Sequence, residues 1–120
     1  MSVRAFRGAI QVEADSPAAL ASAVPKLLSS IFDANGISYG NLISILFTAT
    51  PDLVSDFPAA AARSLPLGDV PLICAAEIAV PGALPRVVRV LIHAESALLR
   101  NEIKHIYLDG AEALRRDIAQ

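Results

Sequence analysis

The sequence predicts an α+β domain in which two helices cover one face of a mixed sheet of about five strands. Three observations predict it. Residues 3–13 and 86–94 alternate in side-chain character with period two, as strands do. Leu20, Val24, Leu27, Leu28 and Ile31 form one apolar stripe at helical spacing. The chain has 120 residues, 54% hydrophobic and 18% charged, with no internal repeat or linker, which fits one packed domain over residues 1–120.

In the first strand, Arg4, Phe6, Gly8, Ile10 and Val12 point one way and Val3, Ala5, Arg7, Ala9 and Gln11 the other. Ser16-Pro17 supplies a helix N-cap followed by proline at the first helical position, and Asn35-Gly36 supplies the stop. Pro25 falls inside this helix, where it removes a hydrogen bond. A kink is expected there, and packing of the apolar stripe must outweigh its cost. Residues 41–49 predict a second strand, buried on both faces, and Thr50-Pro51-Asp52 a turn. Residues 57–65 read as a short helix, with Pro58 in its first turn and an alanine run of high propensity. Residues 70–75 predict a third strand, Pro81-Gly82 a break, residues 86–94 a fourth strand and residues 104–108 a short fifth. The tail from Gly110 is weakly patterned and carries Arg115-Arg116.

The formal net charge is −2, from 10 basic and 12 acidic residues, which disfavours a nucleic-acid partner bound through phosphate neutralisation. Cys74 is the single cysteine, so an intramolecular disulfide and a cysteine-based zinc site are both excluded. The two histidines, His93 and His105, have no cluster of carboxylates beside them in sequence, and no metal or other cofactor is expected. Arg4 and Arg7 interrupt the N-terminus before an apolar run develops, unlike a signal peptide. No stretch reaches the ~18 apolar residues needed to span a bilayer, so a cytoplasmic protein without a membrane partner is expected. The apolar excess of so short a chain predicts contacts between subunits.

Isolated polar groups in apolar strands are the candidates for chemistry. Arg89 lies within Val87-Val88-Arg89-Val90-Leu91-Ile92, where a guanidinium is costly to bury without an anionic partner. It belongs either to a solvated face or internal salt bridge, or to a preformed site for an anionic or oxygen ligand. Arg7 is flanked at ±2 by Ala5 and Ala9, which leaves room for a ligand or another chain; the alternative is an exposed edge arginine. Glu77 ends an apolar strand, either as a ligand group or as the internal partner of Arg89. Cys74 reads as a small buried hydrophobe, since no activating base is assigned to it. His93 shares a face with Arg89 and Leu91 and reads as a satisfied histidine, and Tyr107 as a half-buried tyrosine with a paired hydroxyl. Phosphate loops, serine nucleophile elbows and metal-ligand spacings are absent. A small ligand would therefore be an anion.

Several local strings carry a resemblance. Arg4-Ala5-Phe6-Arg7-Gly8-Ala9, Thr48-Ala49-Thr50-Pro51-Asp52-Leu53 and Phe57-Pro58-Ala59 come first. Val70-Pro71-Leu72-Ile73-Cys74-Ala75-Ala76-Glu77, Arg89-Val90 and His105-Ile106-Tyr107-Leu108 follow in order. Over residues 3 to about 117 the chain resembles the monofunctional chorismate mutases of the Bacillus type. The resemblance implies a homotrimeric pseudo α/β-barrel with active sites in the clefts between neighbouring subunits. It implies rearrangement of chorismate to prephenate, a concerted pericyclic step of aromatic amino-acid biosynthesis that uses no nucleophile, proton transfer or cofactor.

The substrate is a dicarboxylate that must fold its enolpyruvyl arm over the ring while the breaking ether bond gathers negative charge on oxygen. By resemblance, Arg89 contacts the ether oxygen and a carboxylate, Arg7 and Tyr107 bind the side-chain carboxylate, and Glu77 and Cys74 take the ring hydroxyl. Phe57, Ala59 and Ile73 form a wall from the neighbouring subunit, Arg63 sits at the mouth, and Leu114 with Arg115 closes over the site. Cys74 and Glu77 are three apart, so for both to reach one hydroxyl the strand must bulge or end near Ala76. The chain departs from the family at Ala60, where a lysine is usual, in a loop after Leu65 that is one residue shorter, and at Pro25. Two other readings stand beside this one: a trimer of the enamine/imine deaminase type, whose characteristic strings are not evident, and a non-catalytic chorismate-binding relative.

Overall fold

The computed structural model describes residues 1–114. The elements run β1 (Ser2–Gln11), α1 (Pro17–Asn35), β2 (Leu42–Ala49), α2 (Pro58–Ala61), β3 (Leu72–Ala76), β4 (Val87–Ser96) and β5 (Ile106–Leu108). Single 3-10 turns occupy Tyr39–Asn41, Ala62–Ser64, Arg100–Glu102 and Ala111–Ala113. The five strands form one mixed sheet in the order β3-β2-β4-β1-β5. β4 pairs antiparallel with both β1 and β2, whereas β5 on β1 and β3 on β2 are parallel.

α1 begins as its sequence dictates. Ser16 is extended and its hydroxyl accepts a hydrogen bond from the Ala19 N–H at 3.1 Å, with Pro17 in the first turn. Gly36 ends the helix in the left-handed region at φ 63°, and the Ile37 N–H bonds back to the Phe32 carbonyl at 2.9 Å. The helix continues through Pro25. Its stripe of Leu20, Val24, Leu27, Leu28 and Ile31 is fully buried in one core with Phe6, Ile10, Ile45, Phe47 and Ile92 of the sheet. Each such side chain stabilises by about 1.5–3 kcal/mol. Together they outweigh the ~3 kcal/mol typical of a helix-interior proline.

Gly8 lets α1 and β5 approach β1 closely. A Cβ there would lie 2.6 Å from Ile31 Cδ1 and 2.8 Å from the Ile106 carbonyl oxygen. Asn35 is buried at the helix end, and its amide exchanges two hydrogen bonds with the Lys104 backbone, at 2.8 and 2.9 Å. That pairing fixes the approach to β5.

Among the described residues no α-helix covers the opposite face of the sheet, where Ala111 of a 3-10 turn packs beside Ala9 and Tyr107. Val3, Ala5, Arg7 and Ala9 of β1 lie there with Arg89, Leu91, His93 and Glu95 of β4, as the antiparallel register requires. β2 adds Leu46 and Thr48, and β3 adds Ile73 and Ala75. Burial of β2 on both faces is therefore corrected for this chain. Ile45 and Phe47 are buried in the core on the helix side, but Leu46 and Thr48 are half-buried, because both α-helices lie on that other side.

Candidate active site

One row of register partners crosses the open face: Tyr107 of β5, Ala9 of β1, Arg89 of β4, Thr48 of β2 and Ala75 of β3. The adjacent row carries Arg7, Leu91, Leu46 and Ile73. The alternation that buries Phe6 and Val88 thus puts Arg7 and Arg89 on the open side. Tyr107 is buried with Ala9, Val87 and Ala111 in a small cluster that Leu84 and Leu114 cover.

β3 ends at Ala76, but this end does not bring the Cys74 side chain to Glu77: Cys74 lies on the core side and Glu77 on the Arg89 side. The Glu77 N–H bonds the Ala49 carbonyl at 2.9 Å, and the carboxylate turns to the Arg89 side of the sheet. There the Thr48 hydroxyl donates to Glu77 Oε2 at 2.7 Å, and Arg89 Nε lies 3.2 Å from the same oxygen. The Nε approach lacks the alignment of a hydrogen bond, so charge pairing holds the two groups together. The glutamate side chain is 15% exposed and the arginine side chain 43% exposed, which leaves the guanidinium accessible.

Thr48, Glu77, Arg89 and Leu114 line a cavity of about 780 Å³ whose wall includes Val80 and Leu84. Asp52 stands at its edge with its carboxyl held below the usual value of 3.8, chiefly by the Thr50 hydroxyl and further by the Arg86 N–H. The groups in the cavity can hold an anionic, hydroxylated molecule: fixed positive charge for oxygen, a carboxylate for a hydroxyl, and an apolar wall for a ring.

The remaining candidates divide among other places. The Cys74 side chain follows its partner Phe47 to the core side and, with Phe57, lines a neighbouring cavity of about 550 Å³. Arg7 lines a hollow of about 370 Å³ with Arg4, Arg100, His93 and His105, and its N–H donates to His105 Nδ1 at 3.0 Å. His93 is satisfied by Ser44, Nδ1 to Oγ 3.4 Å. Ala59 is half-buried on α2, Arg63 is exposed in the turn that follows, and Ile73 and Phe57 are 64% and 69% exposed. One chain therefore brings Glu77, Arg89 and Leu114 together and leaves Phe57, Ile73 and Arg63 facing outward. Arg115 lies outside the described residues.

A family model described as chorismate mutase type I matches residues 3–118. The chain belongs to the type I chorismate mutase family. It is 47% identical over 117 residues to the chorismate mutase AroH of Thermus thermophilus, covering 97% of this chain and 96% of that protein. To the chorismate mutase AroH of Bacillus subtilis (strain 168) it is 33% identical over 120 residues, covering 99% and 94%. The solved chorismate mutase from Clostridium thermocellum superposes with a TM-score of 0.89 at 38% identity, over 92% of this chain and 98% of that one. The function of this chain is that of a chorismate mutase, an isomerase.

For this mutase, Thr48 is a polar cavity residue that sequence reasoning missed. It stands in a string that carries the family resemblance. Its position beside Arg89 and Glu77, however, follows only from the β2–β4 register, which the sequence does not display. Among the described residues no group of three or more His, Cys, Asp or Glu is placed to hold a metal ion.

Proposed function

We propose that this mutase converts chorismate to prephenate in a single [3,3]-sigmatropic step, at sites shared between the subunits of a homotrimer. The observation that carries the reading is the Arg89–Glu77 pair, 3.2 Å apart in a cavity of about 780 Å³. In the reaction one carbon–oxygen bond breaks as one carbon–carbon bond forms within a six-membered array, and no group leaves. The protein has two tasks: to hold the compact conformer of the dianion, and to keep positive charge where the ether oxygen becomes negative.

Arg89 serves the ether oxygen and a carboxylate. Glu77 accepts from the ring hydroxyl, together with Cys74. Arg7 and Tyr107 bind the side-chain carboxylate. Phe57, Ala59 and Ile73 of a neighbour supply the wall, Arg63 steers the dianion, and Leu114 with Arg115 covers the site. Two of the wall residues, Phe57 and Ile73, are mostly exposed in the single chain, which supports a wall donated to another subunit. The apolar open face supports the same assembly. Ala60 removes one charge near the ring carboxylate, which weakens substrate binding and spares the chemical step. A cytoplasmic place in aromatic amino-acid biosynthesis accords with the absence, among the described residues, of a helix long and apolar enough to cross a membrane.

The test is an assay of chorismate loss and prephenate formation with wild type and Arg89→Ala. Wild-type turnover that falls about 10²–10³-fold in the variant is expected, on the scale of losing an oxyanion donor. Near-normal turnover by Arg89→Ala overturns the assignment of Arg89. Chorismate binding without turnover by the wild type would indicate a non-catalytic relative, and neither binding nor turnover an imine-acting trimer.

A further inference from the structure

We propose that Thr48 is a positioning residue for the Glu77 carboxylate, acting through the hydrogen bond from its hydroxyl to Oε2. The inference rests on the assignment of Glu77 to the ring hydroxyl of the substrate. Among the described residues, the polar contacts of this carboxylate fall on one atom: Thr48 Oγ1 at 2.7 Å and Arg89 Nε at 3.2 Å both meet Oε2. Oε1 is then the carboxylate oxygen that these two groups leave to a ligand hydroxyl.

The arrangement has a physical purpose. Glu77 lies just beyond the end of β3, after the last residue held by the regular ladder. Its backbone is tied down by one hydrogen bond, to the Ala49 carbonyl. Side-chain torsions remain, and a carboxylate attracted only by Arg89 could pair with the guanidinium in several geometries. Bidentate pairing would occupy both oxygens and draw the guanidinium away from the substrate. A hydroxyl donor on Oε2 selects one rotamer, keeps the contact with Arg89 to a single oxygen, and satisfies a carboxylate that is largely buried.

Thr48 is suited to the task. It is the register partner of Arg89 across β2 and β4, so its side chain emerges on the same face beside the guanidinium. Its β-branch restricts χ1, which aims the hydroxyl with little loss of entropy. It lines the same cavity as Glu77 and Arg89.

Thr48→Val keeps the shape and removes the donor. A fall in kcat/KM for chorismate of roughly ten- to hundred-fold is expected, the usual scale for a hydrogen bond to a charged group. Thr48→Ser should restore most of it. In the background of Glu77→Ala, Thr48→Val should have no further effect, which a purely structural role would not predict. Wild-type kinetics in Thr48→Val, with Glu77→Ala impaired, overturn the proposal while leaving Glu77 in place. An equal loss in both backgrounds also overturns it, since Thr48 would then act independently of Glu77. If Glu77→Ala alone is harmless, the assignment of Glu77 fails first, and the positioning role with it. Should Thr48→Val not fold, Thr48→Ser and Thr48→Ala replace it; serine active and alanine impaired supports the role, and equal activities overturn it.

Discussion

Arg89 stands between Val88 and Val90, two fully or nearly fully buried neighbours, yet its own side chain is 43% exposed. The strand pleat explains this, since neighbours at ±1 point to the opposite face. Its pairing with Glu77 leaves a fixed cation in the cavity without burying it completely, which avoids the heavy desolvation cost of a fully enclosed ion pair. A lysine would not reproduce it. An ammonium is a compact point charge and cannot serve Glu77 and a substrate oxygen through separate, rigidly spaced donors. Arg89→Lys should therefore fold normally but lose at least about ten-fold in kcat, measured by steady-state kinetics beside a thermal melt. Wild-type kcat in this variant would show that charge alone suffices.

At the scale of elements, the tightest constraint is the crossing of α1 over β1 and β5 at Gly8. A methyl group there meets both a core side chain and a backbone carbonyl, and the carbonyl cannot yield without disturbing β5. Gly8→Ala should destabilise by about 1–3 kcal/mol, read as a fall in thermal midpoint. An unchanged midpoint would mean that α1 can shift. Much of the architecture is legible in the sequence because its signals are local: alternation in β1 and β4, and the cap, stripe and glycine stop of α1. The ends of the short strands are less legible because distant groups set them. Residues 104–108 read as a strand, yet β5 starts at Ile106, since the Lys104 N–H and carbonyl are both taken by Asn35. Asn35 reads locally as a helix stop; its second role depends on a residue 69 positions away. Likewise β3 starts after Pro71, which has no N–H for the ladder. Within the single chain β2 is buried on its helix side alone, because a run of apolar residues does not reveal which side the helices cover. In the site, the pairing of Arg89 with Glu77 is visible as one option, whereas the end of β3 near Ala76 is expected, as one of two options, only from the roles that the resemblance implies for Cys74 and Glu77. Thr48 needed the register.

At the scale of the whole molecule, both α-helices among the described residues pack on one side of the sheet. The other side presents Val3, Leu46, Ile73 and Leu91 around a row that contains Arg89, Thr48 and Tyr107. Such a face is suited to burial against other copies of the chain, and a closed ring of three heterologous contacts would use it without leaving an edge. The central claim is that each site joins Arg89 of one subunit to the Phe57 wall of the next. The most direct measurement mixes two impaired enzymes. Arg89→Ala removes the fixed charge, and Phe57→Asp puts a negative charge into the wall facing a dianion. After subunit exchange at equal ratio, about a quarter of the shared sites contain both wild-type halves. The account predicts that mutase activity rises from the low level of either parent toward about a quarter of wild type. Activity that stays at the parental level, with exchange of subunits verified by mass, would place both residues in a site within one chain and contradict it.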